Sequence, residues 1–190
     1  MGGKFKAEDA DDFTLNVNCI VSDYINYKLK KDGFVWSTSP KITGPDNEVM
    51  LTVRRICDEF EERCSKQFRD MYSNCAQVDV TADSVFKVYE ELIGKELNWG
   101  RVVGILTFSG IMARQCMVSG QASKVDYIVD WTCEFISQRV EPWTREHNGW
   151  KGFVEFFKVP TKDRELKPGW GLLLGALGVA ALGAVLVQRA

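Results

Sequence analysis

The chain has 190 residues, with 24 basic against 26 acidic side chains and a net charge of −2. Its basic residues are scattered, which argues against a nucleic-acid binder with its usual basic stripe. A hydrophobic share of 45% beside 26% charged residues is that of a globular domain with its own core.

Nearly every informative segment has helical period, and convincing strand alternation is absent. Residues 1–14 read as a flexible N-terminus. The start, MGGKFKAEDADDF, lacks the apolar core of a secretory signal, and Lys6 breaks the myristoylation pattern. A first helix is expected over 15–31, with Val17, Ile20, Val21, Tyr24, Ile25 and Leu29 on one face. Lys28, Lys30 and Lys31 fall in its last turn, where cations suit the helix dipole, and Gly33 is its stop. Phe34 and Trp36 are expected to fold back onto the core. After the turn-rich loop 37–48, an amphipathic helix is expected over 49–71. Thr81 is a candidate N-cap for a helix reaching Ile93, and Gly94 is its stop.

The stretch LNWGRVVGILTFSG (97–110) opens a helix that is apolar nearly all round, the mark of a segment at the centre of a domain. Asn98 reads as its N-cap. Arg101 then occupies the first turn, where the positive end of the dipole disfavours a cation. Ser123 is a candidate cap for a helix to about Arg139. EPWTREHNGWKGFVEFF (141–157) gives two short helices, with Pro142 in a first turn and a break at Asn148-Gly149. A linker, 161–169, leads to WGLLLGALGVAALGAVLV (170–187), 18 residues without a charge. As a helix it would be about 27 Å long, close to a hydrocarbon core. We read it as a C-terminal transmembrane anchor with the domain facing the cytosol. The alternative, a buried core helix, is opposed by Pro168-Gly169 and by the lack of a polar face.

Six cysteines include no C-x-x-C pair, and His147 is the single histidine. No metal site or cofactor is expected, and reduced thiols in a cytosolic compartment are expected. A catalytic cysteine would have His147 as its only imidazole partner, and no glycine-rich phosphate loop is present. An enzyme is not expected.

The order of motifs resembles the Bcl-2 family of apoptosis regulators. VSDYINYKLKKDGFVW is similar to homology region 4 and VRRICDEFEERCSKQFRDM to region 3. NWGR opening the buried helix is similar to region 1, and EPWTREHNGWKGFVEFF to region 2. The match covers roughly 15–187. Departures are Val53 for the usual leucine and Cys57 for the usual small glycine of region 3, with Asp58 retained.

The resemblance implies an all-α fold of about eight helices. A central hydrophobic helical hairpin is surrounded by amphipathic helices within 15–160. It implies a groove that accepts the amphipathic region-3 helix of a pro-apoptotic relative. Arg101 would pair with the aspartate of that helix, flanked by Asn98 and Gly100. Phe60, Phe68, Met71, Val88, Leu92, Val103, Gly104 and Phe108 would form the apolar wall, with Glu91 at the rim. The alternatives are plain core packing for each apolar residue and an internal ion pair for Arg101. Trp99, Trp143 and Trp150 are read as structural, pinning the short terminal helices. The first helix and the region-2 segment resemble the pro-survival branch. They imply sequestration of killer relatives at the mitochondrial outer membrane or the endoplasmic reticulum. The alternatives are a pore-forming executioner of the same family and an unrelated tail-anchored helical protein.

Overall fold

The computed structural model describes residues 8–41, 47–65 and 80–158. These form α1 (Glu8–Lys31), α2 (Glu48–Arg63), α3 (Ala82–Ile93), α4 (Trp99–Val118), α5 (Lys124–Phe135), α6 (Glu141–Glu146) and α7 (Gly149–Phe157). A five-residue π-helical stretch, Ile136–Val140, joins α5 to α6. Among the described residues there is no strand, and the fold is the expected all-helical one. The anchor segment 170–187 and the linker before it lie outside the described residues. Among the described residues no helix is long and apolar enough to cross a membrane.

The centre is α4. From Trp99 to Cys116 nearly every residue is buried, including Thr107 and Ser109. A helix with no polar face must be covered on all sides, and α1, α2, α3 and α5 supply the cover. The central hairpin is α4 with α5, but burial within it is unequal. The second member α5 buries only one side, through Val125, Ile128, Val129, Thr132 and Phe135. All six apolar residues expected to face inward from α1 are fully buried, each contributing about 1.5–3 kcal/mol of burial for the larger side chains. Trp36 returns to the core as expected, its indole N–H donating to Thr38 at 2.8 Å and to Asp126 on α5 at 3.0 Å.

Four boundaries differ from the sequence reading. Helix α1 begins at Glu8, well before residue 15. Its first turns are rich in acidic residue types, which suit a helix N-terminus. Helix α2 ends at Arg63, with Cys64 as its C-cap; the rest of the expected stretch, 66–71, lies outside the described residues. Ser123 makes no side-chain cap. Turns do that work: the amide of Lys124 donates to Gln121 O and that of Val125 to Ala122 O. The helix expected to reach Arg139 turns π-helical after Phe135, with the Glu141 amide reaching back five residues to Ile136 O. Pro142 follows and has no amide to continue an ordinary ladder.

The break between α6 and α7 is built as expected from Asn148 and Gly149, both left-handed, with φ of 65° and 55°. It brings the chain so close to itself that a Cβ on Gly152 would stand 1.9 Å from the carbonyl oxygen of His147. That neighbour is backbone and cannot swing aside. Gly152→Ala is therefore expected to destabilise the domain by at least the ~1–3 kcal/mol of an overpacked site. Thermal unfolding of the variant checks this.

Candidate helix-binding site

The misplaced arginine of the sequence has an explanation one helix away. Helix α3 starts with a reciprocal capping box between Thr81 and Ser84, and stops at Gly94, whose amide donates to Glu90 O. Its last turn leaves carbonyls without intrahelical donors, at the negative end of the dipole. Arg101 projects onto that end. Its Nη1 donates to Leu92 O at 2.9 Å and, more closely, to Ile93 O. The cost of placing a cation in the first turn of α4 is thus offset by capping the last turn of α3. This resting contact is not an ion pair, because both acceptors are backbone carbonyls.

Asn98 caps α4 as expected: its carboxamide oxygen accepts the Arg101 amide at 3.1 Å. Arg101 itself is half-buried. Its Nε is buried and has no hydrogen-bond partner among the described residues. A guanidinium binds a carboxylate side-on through two N–H groups. Here Nη1 is engaged on carbonyls, and the Nε side is unsatisfied.

The expected wall residues converge. Phe60, Val88, Leu92, Val103 and Phe108 belong to one cluster and none is more than 3% exposed. Gly100 and Gly104 are buried beside them on α4, and Glu91 is exposed on α3. In this structure the five side chains are core. Phe68 and Met71 lie outside the described residues. Two surface cavities, of about 590 Å³ beside Lys31 and Asp58 and of about 420 Å³ beside Asn47 and Trp150, have neither Arg101 nor these five residues in their linings.

Trp99, next to Asn98, anchors the end of the site. Its ring meets Trp143 edge-on at 4.7 Å, Phe153 at 5.6 Å and Trp150 at 6.5 Å. This is the structural role expected of the three tryptophans. His147 stacks on Trp143 at 4.0 Å and donates its Nδ1–H to the carbonyl of Trp143, an exposed, local role.

The sequence reading missed a charged seam between α1 and α2. Arg54 grips Asp23 with two N–H groups, and the Tyr27 hydroxyl donates to Asp58 at 2.6 Å. Lys31 pairs with Asp58 at 2.8 Å. Lys28 is buried between Glu61 at 2.9 Å and Asp32 at 3.1 Å, and Arg114 of α4 also reaches Asp32. The hydrogen bond to Asp58, aided by burial, pushes the Tyr27 hydroxyl up to about 12. The Lys28–Asp32 spacing was legible as an i,i+4 pair. The α1–α2 pairings required knowing which helices touch.

Cys57, the departure in the region-3 segment, is fully buried, and burial pushes its thiol up to about 12. Thiolate is the reactive form. Cys57 is therefore expected to resist a thiol reagent at pH 8 in the folded protein and to react on denaturation. Mass mapping of labelled cysteines reads this out, with the half-buried Cys19 as the internal comparison.

The family model for apoptosis regulator proteins of the Bcl-2 family matches residues 53–150, which include α2 from Val53 onward, all of α3 and α4, and Arg101. The protein named "Apoptosis regulator Bcl-2" from Canis lupus familiaris is 31% identical over 157 residues, 82% of this chain and 66% of that protein. "Bcl-2-like protein 1" from Gallus gallus is 28% identical over 154 residues, 75% of this chain and 66% of the relative. "Bcl-2-like protein 1" from Homo sapiens is 23% identical over 229 residues, 90% and 97% of the two chains. The chain thus spans about two thirds of the first two relatives.

Proposed function

Because the chain belongs to the Bcl-2 family of apoptosis regulator proteins, we propose that it is a pro-survival member, which captures the region-3 helix of a pro-apoptotic relative. Capture blocks permeabilisation of the mitochondrial outer membrane. One observation carries the reading: a guanidinium fixed at the mouth of the buried helix, with Nε unpartnered and no carboxylate supplied to it among the described residues. The ligand's aspartate supplies that carboxylate. Its apolar residues take up the wall formed by Phe60, Val88, Leu92, Val103 and Phe108, which opens to admit them, with Phe68 and Met71 extending it. Glu91 sits at the rim.

The charged seam favours a receptor over a killer ligand. The chain's own region-3 helix, α2, is tied to α1 through Asp58, Arg54 and Glu61, and its apolar face is buried at Ile56, Cys57 and Phe60. To act as a ligand, α2 would have to break these contacts. The segment 170–187 anchors the protein in the mitochondrial outer membrane or the endoplasmic reticulum, with the domain facing the cytosol.

The test expresses the full chain in cells given a death stimulus, with Arg101→Ala beside it. Protection by the wild type that the variant lacks is expected. Faster death on expressing the wild type overturns the pro-survival reading and points to the executioner. Dye release from liposomes by the protein alone does the same.

A further inference from the structure

Gly94 does more than end α3. Its backbone sits at φ 57° and ψ −143°, a region that glycine enters far more readily than other residues. A Cβ at this position would stand 2.1 Å from Nη1 of Arg101, 2.9 Å from Cζ and 3.1 Å from Nη2. The guanidinium therefore occupies the space that a side chain at 94 would take. Nη1 is held there by the carbonyls of Leu92 and Ile93. From the other side, Asn98 fixes the Arg101 amide and so the point where the side chain leaves α4. The held group is not saturated, because Nε is buried without a hydrogen-bond partner among the described residues.

Resting on the helix-capture reading above, we propose that Gly94 is a positioning residue for capture. Its missing side chain leaves a slot in which the carbonyls of Leu92 and Ile93 hold one end of the Arg101 guanidinium. The Nε edge is thereby presented to the ligand's carboxylate. Capping of α3 and recognition of the ligand then use different N–H groups of one side chain. The slot is needed before any ligand arrives: without it, the arginine must find its binding geometry at the moment of capture. A side chain at 94 meets the far end of a flexible arginine, so Arg101 swings out before the helices separate.

The experiment compares Gly94→Ala and Gly94→Asn in the full-length protein with Gly33→Ala and Gly120→Ala. Gly33 and Gly120 also have positive φ, at 84° and 74°, but a Cβ on either meets nothing within 4 Å. The two control changes strain the backbone without touching Arg101. The probe is a labelled region-3 peptide of a pro-apoptotic relative, used with its aspartate intact and with that residue changed to asparagine. Both Gly94 variants are expected to bind the intact peptide about 10- to 100-fold more weakly, the loss of one charge-assisted hydrogen bond. They are expected to bind the asparagine peptide as the wild type does and to add nothing to Arg101→Ala. The controls are expected to lower the melting temperature but keep the affinity.

A second readout needs no ligand. The Nε–H resonance of Arg101 is expected to exchange slowly with water in the wild type and rapidly in Gly94→Asn. Unchanged or tighter peptide binding by the Gly94 variants, with Arg101→Ala weakened, overturns the positioning role alone. Equal protection of Nε–H in wild type and variant does so too. No binding by the wild type, or no effect of Arg101→Ala, overturns the capture reading itself.

Discussion

Replacing Arg101 with alanine is expected to weaken binding of a region-3 helix by about 2–5 kcal/mol, the usual cost of truncating one partner of a desolvated charge pair. That corresponds to roughly 30- to 5000-fold in Kd. Fluorescence anisotropy of a labelled peptide on the full-length protein measures it. Arg101→Lys is expected to recover only part of the loss. An ammonium cannot hold the Leu92 and Ile93 carbonyls with one edge and a carboxylate with another. Some destabilisation accompanies the change, because α3 loses the donor at its C-terminal end. The binding deficit is therefore read at a temperature where both proteins are folded.

The second large effect is on stability. Lys28→Ala removes a buried cation from between Glu61 of α2 and Asp32 at the end of α1. Breaking a buried pair by deleting one partner costs about 3–5 kcal/mol. The low end is expected because each carboxylate keeps 21% of its side-chain surface exposed and Arg114 still reaches Asp32. Urea denaturation at neutral pH checks this against Lys30→Ala. Lys30 is exposed in the same turn, and its loss is expected to fall within about 0.5 kcal/mol of zero. Equal effects of the two substitutions would show that Lys28 is effectively solvated.

These two residues mark how far the sequence could be read. Helices, caps and core were legible because they are local. Asn98 and Thr81 precede apolar runs as N-caps do, Gly94 follows one as a stop does, and a helix without a polar face has only the centre to occupy. Arg101 was legible as an anomaly in the first turn of its helix. Its resting partners were not, because the carbonyls of Leu92 and Ile93 become its neighbours only when α3 ends beside the start of α4. Lys28 was read as a dipole complement at a helix end. Its burial depends on Glu61 from a helix 33 positions away. The wall residues were legible as apolar but not as open or closed. Phe60 and Phe108 fit a core and a groove equally well, and the structure places them in the core.

The most direct measurement is a double-mutant cycle on the full-length protein, combining Arg101→Ala with replacement of the ligand peptide's aspartate by alanine. Capture through this arginine predicts that the two losses are not additive, with a coupling of at least about 1.5 kcal/mol. A coupling within about 0.3 kcal/mol of zero, or no saturable binding of region-3 peptides by the wild type, would contradict it.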